Sequence, residues 1–217
     1  MISSIRDANK RKMTLIEEIF NAITHGLGAL LSIAGLVIAL VLAVKVKDIY
    51  AIVSSAIYGS TLILLYMSST LYHSFREGRV KNLFKIFDHA SIYILIAGTY
   101  TPYTLISLRG GWGWTIFGII WGLAVLGILF KVFFVHRFNF VSTIIYLLMG
   151  WFIIIAAKPL FTAIPFSAAV FLVAGGLCYT LGTVFYIFDR KFFFHIIWHL
   201  FVLAGSILHF FSIMLIF

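Results

Sequence analysis

Long apolar runs separated by short polar breaks dominate this chain. Seven stretches are free of Lys, Arg, Asp and Glu over at least about 20 residues: 19–44, 49–75, 89–108, 110–130, 138–157, 159–188 and 192–217. A bilayer core about 30 Å thick needs roughly 20 apolar residues in helix, and each run reaches that length. Strict period-two alternation is absent, and the runs are too long for barrel strands. The pattern predicts an all-α integral membrane protein, a seven-transmembrane-helix bundle with short connections. Residues 1–15 read as a short tail and 16–217 as one transmembrane domain. The start does not read as a cleaved signal: Arg6, Lys10, Arg11 and Lys12 are followed by Glu17 and Glu18, and no small-residue cleavage site ends the first run early.

Composition narrows the class. Of 217 residues, 63% are hydrophobic and 11% charged, against ~45–50% and ~25% in soluble domains. A water-soluble enzyme and a disordered chain are both excluded. A net charge of +9 raises the question of nucleic acid, but the placement of Lys and Arg answers it differently. With the N-terminus inside, twelve of them fall on the inner side (tail; Arg76, Arg79, Lys81, Lys85; Lys131, Arg137; Arg190, Lys191). Lys45, Lys47, Arg109 and Lys158 fall on the other. By the positive-inside rule the N-terminus is cytoplasmic and the C-terminus outside. The charge is thus a topology signal that also meets anionic lipid head groups, and no nucleic-acid partner is expected. The single cysteine, Cys178, leaves a metal site to nitrogen and oxygen ligands.

Polar groups inside hydrocarbon are costly and mark function. Here they gather at one end of four helices. Glu17, Glu18, Asn21 and His25 open helix one; Ser68, Ser69 and His73 close helix two; Asp88 and His89 open helix three; His195 and His199 open helix seven. All four groups fall in the cytoplasmic half. His195 and His199, four apart, lie on one helical face roughly 40° apart. Ser69 and His73 have the same spacing on another helix. His73, His195 and His199 could supply three nitrogens to one zinc ion with the fourth position open, the pattern of catalytic zinc. Asp88 could then hold or deprotonate the water there, supported by Ser69. The alternative is hydrogen-bonded or interfacial histidines with no metal. His209, about 15 Å further along its helix than His199, cannot join the same ion. Elsewhere, Gly118 and Gly122 suit a dimer seam or close internal packing. Pro102 should kink or end helix three, and Trp112 and Trp114 sit where an outer aromatic belt belongs.

The runs EEIFNAITHG (Glu17–Gly26), SSTLYHS (Ser68–Ser74), FDHASIY (Phe87–Tyr93) and HIIWHLFVLAGSILHFF (His195–Phe211) resemble the bacterial haemolysin III family. That family is the prokaryotic branch of the progestin and adiponectin receptor superfamily, which is similar in turn to alkaline ceramidases. The resemblance spans nearly the whole chain. It implies His73, His195 and His199 as zinc ligands, Ser69 as a supporting residue and Asp88 as the contact to zinc-bound water. It also implies residence in the bacterial plasma membrane.

Zinc held by three imidazoles lowers the pKa of its water toward ~7. The leading expectation is therefore a hydrolase of lipid amides or esters, with Asp88 as base and the acyl chain between helices. Membrane lipids are the expected partners. A pore-forming or cytolytic protein is an alternative, although no helix shows a regular polar ring. A sensor of membrane state, with zinc clamping helices two and seven, is another.

Overall fold

The computed structural model describes residues 13–135, 137–189 and 191–217. The expected tail and its four basic residues, and Arg190, lie outside the described residues, except that residues 13–15 lead directly into the first helix. Eight α-helices make up the described chain: α1 (Leu15–Val46), α2 (Ile49–Ser74), α3 (Arg79–Pro102), α4 (Gly111–Phe134), α5 (Asn139–Trp151), α6 (Ala157–Ala163), α7 (Phe166–Ile187) and α8 (Phe194–Met214).

Local chemistry sets the helix ends. Thr14 and Glu17 form a reciprocal capping box at the start of α1: the Glu17 backbone N–H donates to Thr14 Oγ1 at 3.3 Å, and the Thr14 N–H donates to the Glu17 carboxylate at 2.9 Å. At its far end α1 closes on Lys47 in the left-handed region (φ 57°). Asp48 then caps α2, accepting from the Tyr50 N–H at 3.0 Å, and also pairs with Arg109. The Tyr50 N–H and the Arg109 guanidinium together hold the Asp48 carboxyl below its ordinary range.

Pro102 ends α3 as an α-helix. The chain continues as a π-helical turn, Tyr103–Ser107, closed by the Leu108 N–H donating to the Tyr103 carbonyl at 2.8 Å. The stretch expected as one span over 138–157 is interrupted. Between α5 and α6 lies a 3-10 segment, Phe152–Ala156. The Tyr100 hydroxyl enters this break from α3. It donates to the carbonyls of Met149 and Gly150 at 2.8 and 2.9 Å and accepts from the Ile153 N–H at 2.8 Å.

Six stretches among the described residues are long and apolar enough to cross a membrane: α1, α2, α4, α5 through α6, α7 and α8. The expected third span, 89–108, falls on the second half of α3 and its π-turn, and α3 is not one of the six. Arg79, Lys81, Lys85 and Asp88 occupy its first half, and the charge-free remainder, 89–102, is shorter than a span. The helix packs against α2, α4 and α5, and Ala97 through Thr101 are buried without a break. A helix walled in by protein has no need of an apolar circumference. The remaining contacts, α5 with α7, α7 with α8 and α8 with α1, close a ring around a central cavity.

The bundle is turned inside out relative to a soluble protein. Leu30, Leu126, Leu148 and Phe166 are exposed, while Ser54, Thr61, Thr101 and Ser212 are buried. An envelope this apolar needs lipid, and the chain is a multi-pass membrane protein. Gly118 and Gly122 have open space where a side chain would stand, so internal close packing is not their role among the described residues. Trp112 and Trp114 are exposed at the start of α4.

Candidate metal centre

Four helix ends converge at one end of the bundle. Glu17 ties the start of α1 to the start of α8, accepting from the Phe193 N–H at 3.0 Å. Glu18 links α1 to α2 and α3: one carboxylate oxygen meets His73 Nδ1 at 2.6 Å, and the other accepts from Lys81 Nζ at 2.7 Å. Tyr66 is fully buried because Gly28 lets its ring lie against α1, where a Cβ would stand 2.5 Å from the ring. Tyr66 in turn packs edge-on against His25, with centroids 5.0 Å apart.

Within this frame His73, His195 and His199 face one another. Their ring centroids lie 4.7 to 5.3 Å apart, and one nitrogen from each lies within 4.8 Å of the others. Among the described residues they are the group able to hold a metal ion. The chemistry of the set fits that use. His73 donates through Nδ1 to Glu18, which fixes the neutral tautomer with Nε2 as the lone-pair nitrogen. His73 Nε2 is buried and has no hydrogen-bond partner among the described residues. A buried, unpaired nitrogen is expensive, and a metal ion repays that cost. His199 Nδ1 lies 3.4 Å from Thr24 Oγ1.

His25 stacks on His199 with centroids 3.6 Å apart and planes within 10°. His25 thus meets the cluster as a stacked ring and is not part of the ligating group. Glu18 is the residue whose role sequence reasoning missed. Its partner is 55 positions away, so only the depth of the two helix ends pointed toward it.

Asp88 and Ser69 stand outside the nitrogen triad. Both line a small cavity of about 30 Å³ together with His25, His89, His195 and His199. That is room for a water molecule or two. Asp88 Oδ2 is 3.5 Å from His89 Nδ1, and Ser69 is buried. Leu65, Ile92, Tyr186, Trp198 and Val202 line this cavity and also a second one. The second is apolar, about 300 Å³ in volume, and extends through the bundle to Leu160 and Phe161.

Fold and site together define a class: multi-pass helical membrane proteins carrying a three-histidine cluster at one end of the bundle. Within that class the chain belongs to the family described as Haemolysin-III related, whose model matches residues 13–210. It is 50% identical over 198 residues to Hemolysin-3 of Bacillus cereus, covering 91% of this chain and 90% of that protein. It is 49% identical over 201 residues to the Hemolysin-3 homolog of Bacillus subtilis, covering 93% and 94%. Human Monocyte to macrophage differentiation factor is 29% identical over 213 residues, covering 95% and 87%, which fits the wider receptor superfamily.

Proposed function

We propose that this chain is a zinc-dependent hydrolase of membrane-lipid amides or esters. It is a seven-helix bundle, α3 included, in the bacterial plasma membrane, with its N-terminus and the histidine cluster on the cytoplasmic side. One observation carries the reading. The small cavity lined by Asp88, His195 and His199 shares Leu65, Ile92, Tyr186, Trp198 and Val202 with an apolar cavity of about 300 Å³, a volume suited to a small ligand or part of an acyl chain.

Zinc in the set His73, His195 and His199 would supply Lewis acidity toward the lipid carbonyl and acidify a water. The residues of the chain do the rest. Glu18 orients His73. Asp88 takes the proton from a water in the small cavity and returns it to the leaving amine or alkoxide. Ser69 supports the polar wall beside Asp88. The apolar cavity holds the acyl chain and keeps bulk water away.

The test joins elemental analysis to lipid hydrolysis, both on detergent-purified protein. Wild type should carry about one zinc per chain, and His73→Ala should lose it. Wild type should release free fatty acid from lipid amides or esters, measured by mass spectrometry. Asp88→Asn should keep the zinc and lose about 100-fold or more in turnover. Wild type without metal overturns the centre. Zinc-loaded wild type that cleaves neither bond class overturns the hydrolase and leaves a structural clamp between α2 and α8.

A further inference from the structure

The small cavity and the apolar cavity meet along five side chains, Leu65, Ile92, Tyr186, Trp198 and Val202. In the hydrolase reading an acyl chain fills the apolar cavity, while Asp88 and a water occupy the small one. The carbonyl that joins them then stands at this junction. Leu65, Ile92 and Val202 offer it nothing polar. Tyr186 offers a hydroxyl that donates and accepts, and Trp198 an N–H that only donates. Neither group makes a hydrogen bond among the described residues; both side chains engage their neighbours there through their rings.

Tyr186 is the better placed of the two. It stands in the last turn of α7, at the histidine end of the bundle. Its ring centroid lies 6.2 Å from that of His195 and 5.4 Å from that of Trp198. Gly182, one turn earlier, leaves the space for Trp198; a Cβ there would stand 2.9 Å from Trp198 Cε3. Trp198 is thus held against α7 and against the Tyr186 ring. The groups whose charge reaches the Tyr186 hydroxyl are Asp189, Asp88, Tyr72 and Tyr93. Asp88 and Tyr93 belong to α3 and Tyr72 to α2, so the hydroxyl points into the bundle and not toward lipid. Protein encloses it, but unlike the Tyr93 hydroxyl it is not shut off from open space. The open space beside Tyr186 is the junction of the two cavities.

We infer that the Tyr186 hydroxyl donates a hydrogen bond to the carbonyl oxygen of the bond to be cleaved. The inference rests on the hydrolase reading and adds a catalytic residue to it. As water adds to the carbonyl carbon, the oxygen takes up negative charge, and a donor already aimed at it strengthens. Tyr186 keeps its own proton throughout. One proton of the water passes to Asp88 and then to the leaving amine or alkoxide as the C–N or C–O bond breaks, and the remaining hydroxyl completes the free acid.

The test uses the full chain, purified with its metal, and Tyr186→Phe. Because the hydroxyl has no partner in the protein, the variant should keep its zinc and its thermal midpoint. Its kcat should fall about 100-fold to 1,000-fold, the loss for one such donor, and kcat/KM by the same factor. A second readout needs no turnover. Methyl laurate with a carbon-13 carbonyl is bound to Asp88→Asn protein, and the isotope-edited infrared difference isolates the stretch of the bound carbonyl. Adding Tyr186→Phe should move that stretch up, because a hydrogen bond is lost. Adding Trp198→Phe, which keeps a ring but no N–H, should leave it in place. Should Tyr186→Phe fail to fold, a ring-fluorinated tyrosine at position 186, a near-isostere and stronger donor, should move the stretch down. An unchanged stretch in the Tyr186 variant that folds, unchanged turnover in Tyr186→Phe, or a shift that follows Trp198→Phe instead, overturns the role of Tyr186 and leaves the hydrolase reading standing. Zinc-loaded wild type that cleaves neither bond class overturns the hydrolase reading, and this inference with it.

Discussion

Glu18 sits between a cation and an imidazole, with Lys81 at 2.7 Å and His73 Nδ1 at 2.6 Å. Its carboxylate therefore does for His73 what an outer partner does for a metal-bound histidine: it fixes the tautomer and raises the basicity of the far nitrogen. Glu18→Gln keeps the size and one acceptor but removes the charge. The expected result is a protein that still folds and binds zinc about 10-fold to 100-fold more weakly, read by competition with a chelator. Unchanged zinc affinity would reduce Glu18 to a tie between helices. At this scale much was legible. His73, His195 and His199 could be grouped because spacing on one helix and depth on another are both readable along a chain. The stack of His25 on His199 and the pairing of Glu18 with His73 were not. Both depend on the rotation of α1 against α2 and α8, which no single-helix periodicity contains.

At the scale of elements, close approach between helices is set by a few side chains and their absence. α3 touches α2 where Gly98 faces Thr61; a Cβ on Gly98 would stand 2.2 Å from Thr61 Oγ1 and 2.9 Å from its Cβ. Thr61 cannot rotate away cheaply, because it is β-branched and donates to the Tyr58 carbonyl at 2.7 Å. Gly98→Ala should therefore destabilise the bundle by about 1–3 kcal/mol, seen as a lower thermal midpoint in detergent. Gly118→Ala, where the space is open, is the internal control and should be neutral, or stabilising by up to about 1 kcal/mol. Equal losses at both positions would show that helix flexibility, not the α2–α3 contact, governs the effect. The long apolar runs announced most helices, and Pro102 announced the end of α3. The break after Trp151 was hidden, because the group that satisfies it, the Tyr100 hydroxyl, comes from another helix.

At the scale of the molecule, the question is which end of the bundle meets the cytoplasm. The histidine end carries Arg76 in the α2–α3 connection and Arg79, Lys81 and Lys85 at the start of α3. The opposite end carries Lys45, Lys47, Arg109 and Lys158, where Arg109 is paired with Asp48. By the positive-inside rule, the count of twelve basic residues against four along the sequence predicts an orientation with the histidines inside. The two sides can be separated chemically because the chain has one cysteine, Cys178. In a Cys178→Ser background, single cysteines at Lys47 and Glu77 place one thiol in each connection, both at exposed positions. On intact cells a membrane-impermeant maleimide should label Lys47→Cys and spare Glu77→Cys; after permeabilisation both should react. The reverse pattern would place the triad on the outer side. The water for hydrolysis would then come from outside the cell, and the basic residues at that end would face outer-leaflet lipid. Labelling of Glu77→Cys on intact cells would thus overturn the cytoplasmic placement of the site while leaving its nitrogen geometry untouched.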